Sequence, residues 1–176
     1  MKKIVFIIGL FVASVSMASA QSLAYVDSEY ILQHIPEYTA AQKQLDELST
    51  KWQAEVDGQY AEIEKLYQAY QNDQVLLNED MRRRREDEIV NKEKEVKELQ
   101  RQKFGFEGDL FKERIRLIQP IQDRVSKAIQ DIATGESLDL ILEKSEVVIL
   151  FANPNLDKSN EVITNLGFKP NPSLAN

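Results

Sequence analysis

From residue 37 to residue 77 the chain places a seam residue at steps of three or four, with a polar remainder. Ala41, Leu45, Leu48, Trp52, Val56, Gln59, Ile63, Leu66 and Tyr70 keep that spacing, and only Gln59 lacks an apolar or aromatic side chain. A stripe so narrow is the seam of a coiled coil, and one helix cannot bury it against itself. A single helix over residues 37–77 would be about 60 Å long at 1.5 Å per residue. It needs a partner, and the sequence supplies one at once. Asn72-Asp73 loosens the pattern and Asn78-Glu79-Asp80 restarts it, with Asn as a strong N-cap and acids in the first turn to suit the helix dipole. The return seam is Met81, Ile89, Val96, Leu99, Phe106, Leu110, Leu117, Ile121, Val125 and Ile132. The spacing therefore predicts an antiparallel helical hairpin over 37–133 that turns near 72–78. Between Arg82 and Glu95 only Ile89 and Val90 are hydrophobic, which predicts a loosely packed outer half and a well-packed inner half.

The return helix carries interruptions. Gly105 and Gly108 each cost about 1 kcal/mol relative to Ala in a helix. They are read either as close packing against bulky residues opposite or as a soft point where the hairpin bends, and the sequence supports both equally. Pro120 predicts a kink where the hairpin enters the rest of the protein.

The flanking segments have a different period. Leu23-Ala24-Tyr25-Val26-Asp27 reads as a short strand, followed by a short helix over 29–35 with Asp27 or Ser28 as its cap. Pro36-Glu37 suits the first turn of the next helix. After Thr134-Gly135, Leu138, Leu140 and Leu142 alternate with their neighbours, Lys144-Ser145-Glu146 is a turn, and Val147 to Ala152 is a more buried strand. These two strands are predicted to form a β-hairpin. Asp157 or Ser159 caps a last short helix with Val162, Ile163 and Leu166 inward, closed by Gly167. Residues 168–176, rich in Pro and Asn, read as a flexible tail. The fold class is thus mainly α with a small β base. Residues 21–36 and 134–167 make the base, and the long hairpin 37–133 is inserted between them. Three short strands are a thin core for so long an insertion, which favours burial against further subunits.

Residues 1–20 read as a cleavable export signal. Lys2 and Lys3 precede an uncharged, mostly apolar run to Met17, and Ala18-Ser19-Ala20 is a small-x-small cleavage site. The run is short for a membrane span, which needs roughly 20 residues. Cleavage before Gln21 would leave 20 of the 22 basic residues against 29 acidic ones, a net charge of −9, and no membrane span. That acidity argues against general nucleic-acid binding. There is no Cys, so no disulfide holds the fold. No glycine loop for phosphates is found, His34 is the single histidine, and no nucleophile has a base at a recognisable spacing. The sequence therefore predicts a protein that is not an enzyme and has no cofactor and no metal.

Two surface features remain on the hairpin. Arg82, Arg83, Arg84 and Arg85 form a basic cluster followed by Glu86, Asp87 and Glu88. A charge-mixed helix face is the first reading and an anion- or partner-binding patch the second. Tyr60 and Tyr67 are offset by one from the seam, so they lie at its edge, available to pack on it or to touch a partner.

Four stretches together resemble the Skp/OmpH family of periplasmic chaperones. They are Ala24 to Leu32 followed by Ile35-Pro36-Glu37-Tyr38, then Leu76-Leu77-Asn78-Glu79, then Leu117-Ile118-Gln119-Pro120-Ile121, then Leu138 to Ser145 with Val147 to Pro154 and Asp157. The resemblance covers about 21–167. It implies a homotrimer joined through the β-containing base, with three helical arms around a cavity. It also implies an ATP-independent holdase for unfolded outer-membrane β-barrel proteins in the periplasm. The best-known members of the family are basic, whereas this chain is acidic, which predicts that long-range steering of acidic clients is weaker or confined to the arginine cluster. A rival reading is a non-catalytic coiled-coil scaffold or spacer of the envelope that binds one folded partner.

Overall fold

A computed structural model describes residues 22–145 and 149–174. The expected export signal and residues 146–148 of the expected second strand lie outside the described residues. The chain divides into two compact units, one over residues 35–124 and one formed by the segments up to 34 and from 125 on.

In the first unit, helix α2 (Pro36–Asp73) and helix α3 (Glu79–Phe104) form an antiparallel hairpin. At 38 residues α2 is about 57 Å long at 1.5 Å per residue. Pro36 sits in its first turn, where the missing N–H has no intrahelical partner to lose. The turn lies between Asp73 and Glu79. Asn78 caps α3 by accepting the Met81 N–H at 2.9 Å. Val56 and Ile63 of α2 and Ile89 and Val96 of α3 are buried together, with Leu66, Tyr70, Leu99 and Phe104 packed around them. This cluster occupies the outer half of the hairpin, where loose packing is predicted. Few apolar residues suffice there, because each one sits on the two-helix seam. Only the turn itself is bare of packing: Val75 and Leu76 are 86% and 82% exposed.

The return strand of the hairpin is two helices, not one. Helix α3 ends at Phe104, and helix α4 (Asp109–Gly135) begins after a break at Gly105–Gly108. The break shifts the seam: Phe104 packs into it, while Phe106, expected there, is 95% exposed. Helix α4 runs on through Pro120, so the proline removes one backbone hydrogen bond without ending the helix. Ala41, Leu45, Ile118 and Ile121 are buried in the inner half.

In the second unit, strand β1 (Leu23–Val26) pairs in parallel with strand β2 (Leu140–Glu143), Leu23 opposite Leu140 and Val26 opposite Glu143. This corrects the expected antiparallel hairpin of 138–142 with 147–152. Side chains fix the register at both ends of the ladder. The Ser22 and Asp139 segments exchange bonds, with Asp139 N–H to Ser22 O at 2.8 Å and Ser22 N–H to Asp139 Oδ2 at 2.9 Å. At the other end Lys144 N–H donates to Val26 O, and its ammonium lies 3.1 Å from Asp27. Residues 149–152 are not in a strand, and Leu150 and Phe151, read from sequence as buried, are 95% and 86% exposed.

Helix α1 (Ser28–Gln33) packs on helix α5 (Ser159–Asn165), burying Ile31 against Val162 and Ile163. Asp27 caps α1 through Tyr30 N–H, and its own N–H donates to Ser159 Oγ at 2.9 Å. Helix α5 closes at Gly167, whose φ of +89° is open to glycine and strained for other residues. Residues 168–174 do not hang loose. The Phe168 N–H donates to Ile163 O, and the Asn171 N–H donates to His34 Nε2 at 2.8 Å.

Candidate functional site

The predicted surface residues all lie on the hairpin. Tyr60 and Tyr67 are each 40% exposed at the edge of the seam. Their hydroxyls reach across to α3, Tyr67 to Glu93 at 3.1 Å and Tyr60 to Gln100 at 3.5 Å. Tyr70 completes the series by donating to Glu86. Tyr60 and Tyr67, one heptad apart, thus meet Gln100 and Glu93, one heptad apart on the opposing helix, and Tyr70 meets Glu86 one heptad further on. Glu93 and Glu86 hold the Tyr67 and Tyr70 phenols above the usual tyrosine range, because a neighbouring carboxylate that accepts the proton's hydrogen bond favours the neutral phenol. The spacing placed Tyr60 and Tyr67 at the edge. Their polar bonds across the hairpin had no signal in the sequence.

The arginine cluster is partly neutralised. Arg83 pairs with Glu79 at 2.8 Å and Arg85 with Glu88 at 3.3 Å. The Arg82 guanidinium donates to Leu77 O at 3.2 Å, which ties the turn to the start of α3. Among the described residues Arg84 makes no ion pair. The cluster is therefore mostly a charge-mixed helix face, with exposed Val75, Leu76 and Met81 beside it.

Gly105 and Gly108 shape the break. A Cβ on Gly105 would lie 2.3 Å from Arg101 O, and one on Gly108 would lie 2.9 Å from Gln102 O and Gly105 O. Backbone cannot move aside cheaply, so both positions need glycine for close approach. Between them Glu107 takes φ +54°, in the left-handed region. The break is also stapled. Lys103 of α3 reaches Asp109 of α4 at 2.7 Å and lies 4.8 Å from the centroid of the Trp52 ring of α2, on which Phe104 packs edge-on. Around it Phe104, Phe106, Leu110, Phe111 and Arg114 line a shallow cavity of about 220 Å³. Phe111 and Ile115 continue this apolar surface along α4, 47% and 42% exposed. The seam spacing does not mark Phe106 and Phe111 as surface residues. The pair of glycines around Phe106-Glu107 was the available signal, since two glycines three apart fit a loop better than a helix.

The site is thus an elongated helical surface with scattered apolar side chains and shallow hollows. Among the described residues no group of three or more His, Asp or Glu side chains is arranged to hold a metal, and no helix is long and apolar enough to cross a membrane.

Known proteins match this arrangement. The profile of the family described as outer membrane protein (OmpH-like) matches residues 22–166. The chaperone protein Skp of Yersinia enterocolitica is 23% identical over 156 residues, covering 89% of this chain and 92% of its own. A crystal structure of an OmpH-like outer membrane chaperone from Caulobacter crescentus superposes with a TM-score of 0.64 at 13% identity, over 84% of this chain and 85% of that one. The profile spans both units, the broken hairpin and the paired ends alike, so the chain belongs to the OmpH-like family of Skp-type outer membrane chaperones.

Proposed function

We propose that this protein is an ATP-independent periplasmic holdase that keeps unfolded outer-membrane β-barrel proteins from aggregating. It would act as a homotrimer whose helical hairpins enclose the client. The observation that carries this reading is the distribution of apolar side chains on the hairpin. Val75 and Leu76 at the turn, Met81 on α3, Phe106 at the break, and Phe111 and Ile115 on α4 are exposed at points spread along the hairpin instead of gathered in one deep pocket. Such a surface offers an unfolded chain many weak contacts and fixes it in no single pose, so the client keeps most of its conformational entropy. Binding the unfolded form draws it away from aggregation by mass action. The family membership supports the chaperone class, and the expected export signal supports the periplasm. The acidic balance confines electrostatic attraction of acidic clients to local groups such as Arg84.

A scaffold that binds one folded partner is the second reading, and the staple of Lys103, Asp109 and Trp52 favours it by stiffening the break. Light scattering separates the two. A urea-unfolded outer-membrane barrel protein is diluted into buffer with and without this protein, in the absence of nucleotide. Suppression of scattering at about one trimer per client is the expected result. Unchanged scattering across several clients and at low salt would leave the scaffold reading in its place.

A further inference from the structure

His34 ends helix α1, and its buried imidazole is bonded on both nitrogens. Nδ1 lies 2.7 Å from the Tyr30 carbonyl oxygen, which only accepts. Nε2 lies 2.8 Å from the Asn171 amide nitrogen, which only donates. These two partners leave one consistent state, the neutral ring protonated on Nδ1 and bare on Nε2. Asn171 belongs to a segment that lies beyond the family match, which stops at residue 166. The segment returns over α1 through this bond and closes with a turn of 3-10 helix at Pro172–Leu174. Its Leu174 lines a cavity of about 190 Å³ with Asp27, Glu29, Tyr30, Gln33 and Lys144.

We infer that residues 168–174 are an acid-released strap, latched over helix α1 by neutral His34 and freed when that imidazole takes up a proton. Protonation puts an N–H on Nε2, facing the Asn171 N–H. The acceptor is lost and two donors confront each other in a buried position. The strap is therefore held while the ring is neutral and released when acid protonates it. The charged and titratable groups around the latch do not supply an alternative acceptor. Tyr30 presents its ring edge-on to the imidazole at 4.5 Å and turns its hydroxyl to Asn160 of α5. Asp27 is paired with Lys144. Glu29 is exposed on the first turn of α1, and the strap itself contributes the exposed Lys169. Release uncovers the cavity lined by the Asp27–Lys144 pair.

Hydrogen exchange of the Asn171 amide, expressed as protection relative to an unstructured peptide at the same pH, tests the latch in the whole protein. The wild type is expected to lose about tenfold protection between pH 8 and pH 5, one hydrogen bond's worth. His34→Gln places an uncharged oxygen near the Nε2 position and is expected to keep the amide protected at both pH values. His34→Leu removes the acceptor and is expected to lose protection at both. An equal pH response in His34→Gln and the wild type would overturn the proposal. So would an Asn171 amide in the wild type that is unprotected at pH 8, a readout that needs no variant to fold.

Discussion

Tyr60, Tyr67 and Tyr70 show how a small offset from a repeat decides what a residue does. Tyr60 and Tyr67 stand one position off the seam, so their rings cover its edge and their hydroxyls span it to Gln100 and Glu93. Tyr70 stays on the seam, half-buried, and donates to Glu86. The raised Tyr67 and Tyr70 phenols define a pH window. Their neutral forms are favoured in the folded hairpin, so the clasps are fully present below the ordinary tyrosine range and are lost only as pH rises beyond it. A spectrophotometric tyrosinate titration should show a late-ionising fraction in the wild type. The double variant Glu86→Gln, Glu93→Gln should return two phenols to the ordinary range. Tyr25, raised chiefly by burial and then by Asp157, should stay late in both proteins.

At the scale of elements, the two-helix seam, the turn at 72–78 and the starts of α2 and α3 were legible, because periodicity and caps are local signals. Asn78 and Pro36 stand where their chemistry demands. The helix break at Gly105–Gly108 was not legible as a break. The apolar periodicity continues through Phe106 and Leu110, and what ends the helix is the close approach of backbone at two glycines, which spacing does not record. The strand pairing failed for a related reason. Strands adjacent in sequence suggest a hairpin, but the bonds that fix β2 beside β1 come from Ser22, Asp139 and Lys144, far apart in the chain. The candidate site was legible only in part. The residues at the seam edge were found, and the exposed phenylalanines at the break were not. Seam and surface should separate cleanly on substitution. Ile63→Ala should cost about 2–5 kcal/mol in chemical denaturation at fixed protein concentration. Leu76→Ser, at the bare turn, should change stability by less than about 0.5 kcal/mol. In the scattering assay Leu76→Ser should nonetheless lower the capacity for unfolded clients.

The whole molecule is acidic, has no disulfide, and leaves Leu150 and Phe151 almost fully exposed beside a two-stranded sheet. In the proposed trimer these side chains would be covered by other subunits. Leu150→Asp with Phe151→Asp should then shift sedimentation equilibrium from trimer to monomer, while the helical content of the hairpin stays unchanged. The parallel pairing of β1 with β2 has a further consequence, for the order in which the chain folds. Leu23 and its partner Leu140 are 117 positions apart. Joining them directly closes a very long loop, and non-local closure of this kind is slow. The hairpin consists of local contacts, and once formed it holds Glu37 and Arg124 together at 3.4 Å. The loop left to close is then about 30 residues, two doublings shorter, which lowers the entropic cost by roughly 1.2 kcal/mol. The helical hairpin should therefore form first and the sheet last. A chain emerging from the ribosome N-terminus first must keep β1 unpaired until nearly everything after it has been made.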